Sequence, residues 1–145
     1  ARIEKAQVSP TTETLGKLCA AYGISMSRLL SLVEDTFHPI IPAADRPVWT
    51  DPATGFRREI VSPAASGLTG EILLCHLPPH QSLRYDRPPR AGLEHHLMLM
   101  EGALGITVDD QAYRLKPGDC LRYRLNGATL FETGADPADY YLFLL

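Results

Sequence analysis

From Val48 onward, apolar residues fall into short runs, several of them alternating with polar positions, and turn-forming residues separate each run from the next. Successive side chains on a strand point to opposite faces, so this pattern predicts strands with one face buried. The runs are 56–61, 71–77, 96–100, 104–108, 113–115, 121–125 and 140–145, with a further strand around Tyr85. Between them stand Asp51-Pro52-Ala53-Thr54-Gly55, Pro78-Pro79, Glu101-Gly102, Asp109-Asp110, Pro117-Gly118-Asp119 and Asn126-Gly127, all strong turn formers. About eight strands with no helical period among them argue against a parallel α/β fold and for a barrel or sandwich.

Upstream the period changes. Leu15, Leu18, Cys19 and Tyr22 recur at helical spacing. Ser9-Pro10-Thr11-Thr12-Glu13 supplies a cap, a proline where its missing N–H costs nothing, and an acid at the positive end of the dipole. Gly23 stops this helix, and Ser25 caps a second one carrying Met26, Leu29, Leu30 and Val33. Two helices this short bury too little surface to fold alone, so residues 1–34 read as the end of a larger unit. Residues 35–47 hold Pro39, Pro42 and Pro47 and fit neither period, which predicts an extended linker with Phe37, Ile40 and Ile41 docked on a neighbouring surface. Residues 48–145 form the strand-rich unit.

Composition narrows the function. A net charge of −3 and an isoelectric point near 5.9 lack the basic excess of a self-sufficient nucleic-acid binder. DNA binding would therefore be local to one segment or depend on residues outside these 145. No apolar run approaches the ~20 residues of a membrane span, and the first residues are not a secretory signal. The three cysteines, Cys19, Cys75 and Cys120, are far apart and flanked by apolar residues, which predicts buried reduced thiols and a cytoplasmic protein without a membrane partner.

The run Arg2-Ile3-Glu4-Lys5, Ser9-Pro10-Thr11, Leu15, Leu18, Tyr22-Gly23-Ile24-Ser25 and Leu29-Leu30 resembles the last part of the lambda-repressor-like helix-turn-helix domain. The resemblance covers about 30 residues and departs at Ala6, where the family often has glycine. It implies that Arg2-Ile3-Glu4 closes a recognition helix whose greater part precedes Ala1, as in a truncated domain, so residues 1–145 alone are not expected to read a DNA sequence. Arg2, Lys5, Thr11 and Thr12 are the candidates to approach DNA phosphates in the full-length protein.

Two further motifs, His95-His96-Leu97-Met98-Leu99-Met100-Glu101-Gly102-Ala103-Leu104 and Leu115-Lys116-Pro117-Gly118-Asp119-Cys120-Leu121, resemble the paired motifs of the cupin superfamily, with Ala128-Thr129-Leu130-Phe131 completing the second. This resemblance spans about 100 residues and implies a mainly β fold, the cupin double-stranded β-helix or jelly-roll barrel, behind a short helical remnant. An immunoglobulin-like sandwich is the alternative. Helix-turn-helix followed by cupin resembles a class of bacterial one-component regulators in which the cupin is the sensor.

Metal-dependent cupins hold their ion with two histidines and a carboxylate from the first motif and a histidine from the second. Here Pro88-Pro89-Arg90-Ala91-Gly92 stands where the histidine pair belongs, His95 occupies the carboxylate position, and Thr129 replaces the last histidine. His95 and His96 are adjacent on a strand and point to opposite faces. No metal, no cofactor and no enzymatic activity are therefore expected. Alternation instead predicts an apolar, aromatic interior lined by Tyr85, His95, Leu97, Tyr123, Thr129 and Phe131, the candidate contacts of a small organic effector. Each of these also fits a plain core position. Arg57, Arg58, Arg122 and Arg124 alternate with apolar positions; Arg122 and Arg124 are expected to point outward as a solvated strand face, and pointing inward they would imply a carboxylate-bearing ligand. The expectation is a homodimeric DNA-binding transcriptional regulator with an effector-binding cupin. The alternatives are a metal-dependent dioxygenase or isomerase, or a structural dimerisation barrel.

Overall fold

The computed structural model describes residues 37–145. The expected N-terminal helices, with Cys19 and the DNA-facing candidates Arg2, Lys5, Thr11 and Thr12, lie outside the described residues. A single 3-10 turn at Ala43–Asp45 precedes ten strands: β1 (Val48–Thr50), β2 (Arg57–Ser62), β3 (Glu71–Leu77), β4 (Ser82–Tyr85), β5 (Leu93–Gly102), β6 (Leu104–Val108), β7 (Gln111–Leu115), β8 (Cys120–Leu125), β9 (Thr129–Glu132) and β10 (Ala138–Leu144). They form an antiparallel six-stranded sheet, β1-β2-β3-β10-β5-β8, and a four-stranded sheet, β4-β9-β6-β7. This is the mainly β jelly roll of the cupin double-stranded β-helix. The two strands beyond the eight expected, β1 and β9, are short, and three or four residues carry little periodic signal.

The core lies between the sheets. Leu73, Cys75, Leu77, Leu97, Leu99, Tyr140 and Leu142 face in from the larger sheet, and Leu104, Ile106, Val108 and Phe131 meet them from the smaller. Burial alternates strictly along β3 and β6, as the period of two requires.

The two motifs lock the barrel. In the Pro-Gly-Asp turn, the Gly118 N–H donates to the Leu99 carbonyl at 2.7 Å and the Leu99 N–H donates to the Asp119 carbonyl at 3.1 Å. The Asp119 carboxylate accepts the Lys116 N–H at 2.9 Å, closing the turn on itself. Gly102 has φ +84°, and a Cβ there would sit 1.7 Å from the Pro137 carbonyl oxygen, so only glycine passes. The β6–β7 hairpin turns on Asp109 and Asp110, both at positive φ (50° and 63°).

Two packing expectations are corrected. Phe37 (52% exposed) and Ile40 (79%) are not docked, and only Ile41 is partly covered, because the proline-rich backbone runs along the surface instead of folding onto it. Cys75 is buried but Cys120 is exposed, since it opens edge strand β8 on the outward side.

Candidate functional site

The inward faces of β5, β8, β9 and β4 carry the residues expected to line the interior. His95, Leu97, Thr129 and Phe131 are buried, Tyr123 is partly buried, and Tyr85 keeps 39% of its surface exposed. His95 pairs across the ladder with Tyr123, and Tyr85 with Thr129, so the register rather than chance proximity sets these neighbours. The Tyr123 hydroxyl lies 3.4 Å from His95 Nδ1, and the two rings meet edge to face at 5.4 Å. His95 Nε2 is buried and has no hydrogen-bond partner. Burial, with a smaller push from His96, lowers the His95 pKa to about 4, so the imidazole is neutral. Burial likewise raises the Tyr123 and Tyr140 hydroxyls, which remain protonated donors.

His96 turns the other way, as alternation requires, and pairs with Glu94 at 2.6 Å. Arg122 and Arg124 stand exposed opposite His96 and Glu94. His76 is also spent on the outside, with Nδ1 2.6 Å from Asp139 Oδ1.

A second group of neighbouring residues includes Arg58, Trp49, Cys75 and Tyr140, none of them among the expected effector contacts. Arg58 shares the inward face of the β2 segment with Phe56 and Ile60, and its cross-strand partner is buried Cys75. The row continues from Cys75 to Tyr140 and on to Leu99. The guanidinium sits 5.7 Å from the Phe56 ring centroid and donates to the Tyr85 hydroxyl at 3.4 Å. Its Nε is buried and unpartnered. Tyr85 packs edge to face on Phe131 at 5.8 Å, and Phe131 stacks on Tyr140 at 6.0 Å. Trp49, half exposed, closes on Phe56 at 6.4 Å. Burial raises the Cys75 thiol to about 11 despite the opposing pull of Arg58, so it offers the cation no charge. The legible signal was the shared parity of Phe56, Arg58 and Ile60, which places the arginine on the apolar face; Trp49, Cys75 and Tyr140 look like ordinary core or surface residues.

The donor set does not suit the metal of metal-dependent cupins. Among the described residues, no three His, Cys, Asp or Glu side chains come together in a group able to hold an ion. His95 is the one imidazole on the inner face, and its neighbours there are leucine, tyrosine and threonine.

No family model matches the chain, and no curated protein matches its sequence. Solved structures do. An HTH_3 family transcriptional regulator from Vibrio cholerae matches with TM-score 0.67 at 20% identity, covering 99% of this chain and 76% of that one. The cupin_2 domain of an XRE family transcriptional regulator from Enterobacter cloacae matches with TM-score 0.57 at 16% identity, covering 61% and 94%. The polyketide cyclase RemF from Streptomyces resistomycificus matches with TM-score 0.58 at 14% identity, covering 74% and 79%. That last likeness corrects the expectation of no enzymatic activity, because the same barrel serves an enzyme and the loss of metal ligands cannot by itself remove that class. Among the described residues, no helix is long and apolar enough to cross a membrane. At these identities the likeness establishes the fold, and the fold is a cupin barrel shared by regulators and enzymes.

Proposed function

We propose that the chain is the sensor-bearing part of a homodimeric, cytoplasmic DNA-binding transcriptional regulator, whose barrel takes up a small organic effector. Residues 1–34 are the end of the helix-turn-helix domain, 35–47 the linker and 48–145 the sensor. Arg2, Lys5, Thr11 and Thr12 lie toward the DNA phosphates. The observation that carries the reading is His95: a buried, neutral imidazole with an unpartnered Nε2, set among Leu97, Tyr123, Thr129 and Phe131 at the position where other cupins place a metal ligand. An unpaired buried nitrogen costs about 1–3 kcal/mol, and a ligand group that satisfies it recovers that cost. The likeness to the Vibrio cholerae regulator, which runs the length of the chain, supports the attached DNA-binding function. Pairing of two copies fits both a palindromic operator and the covering of an edge strand such as β8.

Effector binding then shifts the relative placement of two DNA-binding domains, a coupling that typically changes affinity about 5–150-fold. The test uses the full-length protein. Operator fragments are selected from genomic DNA, metabolites that raise its melting temperature are identified, and DNA affinity is measured by anisotropy with and without them. An effector that binds in the barrel yet leaves operator affinity unchanged removes the regulatory reading.

A further inference from the structure

The interior of this barrel holds a cation that nothing in the described residues neutralises. Arg58 faces inward, its Nε is buried without a partner, and its guanidinium donates to the Tyr85 hydroxyl at 3.4 Å and to the buried Cys75 sulfur. The other arginines nearby are engaged or outward: Arg46 lies 3.3 Å and Arg57 3.7 Å from the Glu59 carboxylate, on the opposite face of the same strand. What surrounds Arg58 is a set of donors and aromatic rings. Tyr85 and Tyr140 offer hydroxyls, Cys75 a protonated thiol, and Phe56, Trp49 and Phe131 apolar walls. None of these carries a negative charge, and the nearby Asp51 carboxylate, close enough to act on Tyr85, accepts from the Thr54 hydroxyl at 2.7 Å instead of pairing with Arg58. Tyr85 and Trp49 are 39% and 55% exposed, which puts this corner at an open end of the barrel, within reach of solvent and of a ligand.

We propose that Arg58 and Tyr85 form the anion seat of the effector site, and that the ligand is a small monocarboxylic acid with an apolar or aromatic body. The guanidinium fork matches a carboxylate in two parallel hydrogen bonds, using the Nε that is now unpaired. The body of the acid lies against the exposed faces of Trp49 and Tyr85 at the mouth, with buried Phe56 and Phe131 behind them. A single cation among rings suits one negative charge; a phosphate dianion calls for further cations or a cradle of backbone N–H groups. His95 stands four residues along β5 from the Arg58 row, about 13 Å of strand, so it meets the far end of a longer ligand and not its carboxylate. Tyr123, the ladder partner of His95, is hydrogen-bonded to it and lies in the neighbourhood of Cys75 and Tyr85.

The inference rests on the reading that the barrel interior receives a small molecule, and its test separates the two. Benzoate, phenylacetate and hexanoate are compared with benzamide, phenylacetamide and hexanamide by ligand-observed NMR and calorimetry on the full-length protein. At least one acid should bind ten-fold or more tightly than its amide. Arg58→Met should abolish that preference, Arg58→Lys should weaken it, and Arg122→Met on the outer face should leave it intact. The acid–amide comparison on the unsubstituted protein stands even if the Arg58 variants fold poorly, which their melting curves report. Equal binding of acids and amides, insensitive to Arg58→Met, overturns the anion seat while leaving a small-molecule barrel. Failure of every acid and amide to bind overturns the anion seat and counts against the sensor reading as well.

Discussion

His95→Gln should make this protein's stability less sensitive to mild acid, and the size of the change follows from the burial of one imidazole. His95 is 7% exposed, and its pKa falls to about 4 in the folded barrel, against about 6.5 in an unfolded chain. Between those values the unfolded state binds a proton that the folded state refuses, so stability rises with pH across the window and is lost as pH falls. Above pH 6.5 the imidazole is neutral in both states and contributes nothing to the slope. At pH 5 the linkage amounts to about 2 kcal/mol relative to pH 7.5. With a urea dependence of ~1–3 kcal/mol/M for a domain of this size, the midpoint of the native protein should drop by roughly 1 M from this group alone.

The assay is urea unfolding followed by tyrosine and tryptophan fluorescence at pH 7.5, 6 and 5, on the native protein and His95→Gln in parallel. The two proteins differ only at position 95, so the difference between their pH slopes reports that side chain. Glutamine also lowers the baseline by leaving the Tyr123 hydroxyl without its partner, but that loss is independent of pH. Equal pH slopes in the two proteins would refute the placement of a neutral, solvent-excluded imidazole on the inner face of β5, and with it the chief support for an effector site there.

Two stability predictions test the motifs that shape the barrel. Gly102→Ala places a Cβ 1.7 Å from the Pro137 carbonyl oxygen at φ +84°, so the β10 entry must move and the Ala103 N–H to Pro137 bond is lost. A loss of at least about 3 kcal/mol is expected from backbone strain and the broken bond together. That corresponds to a melting temperature lower by more than about 10 °C in a circular dichroism melt; a drop under about 3 °C would sink the argument. In the opposite direction, the Asp109→Asn, Asp110→Gly pair should raise stability by about 0.5–1 kcal/mol. Both residues already occupy the left-handed region that those two types prefer, and an unchanged urea midpoint would count against the turn geometry.

Much of the barrel was legible because its strands are amphipathic. Apolar or alternating runs between turn formers marked β3, β5, β6 and β10, and Gly102 and Gly118 of the two motifs proved to hold positive φ (84° and 91°), which glycine adopts without strain. The short strands β1 and β9 were hard to see, because three or four residues next to turns cannot establish a period. The interior was legible one strand at a time: His95, Leu97, Thr129 and Phe131 share faces that parity alone assigns. Arg58 was not, although parity with Phe56 and Ile60 pointed the right way. A charged residue on an apolar face carries two opposite meanings, a bent-out surface side chain or a ligand partner, and only the cross-strand register with Cys75 decides between them. Parity also failed to say that Tyr85 would sit half open at the mouth rather than deep inside, since exposure there depends on which strand ends meet.

On the proposed reading, in which residues 35–47 are a linker and the barrel takes an effector, the position of Arg58 bears on how an occupied barrel acts on the rest of the protein. Strand β2 is the one to which the proline-rich linker is fastened. The Ile60 N–H donates to the Pro47 carbonyl at 2.9 Å, and Arg46 reaches Glu59 at 3.3 Å. Glu59 is the immediate neighbour of Arg58 and points to the other face of the same strand. An anion seated on Arg58 therefore acts one residue away from the carboxylate that anchors the linker, through a strand near the sheet edge whose outer neighbour β1 pairs over only three residues. His95, on central strand β5 and hydrogen-bonded ladders on both sides, has no comparable route to the linker. On that proposal, a ligand that touches both regions uses His95 for recognition and Arg58 for transmission, so the two groups have different tasks.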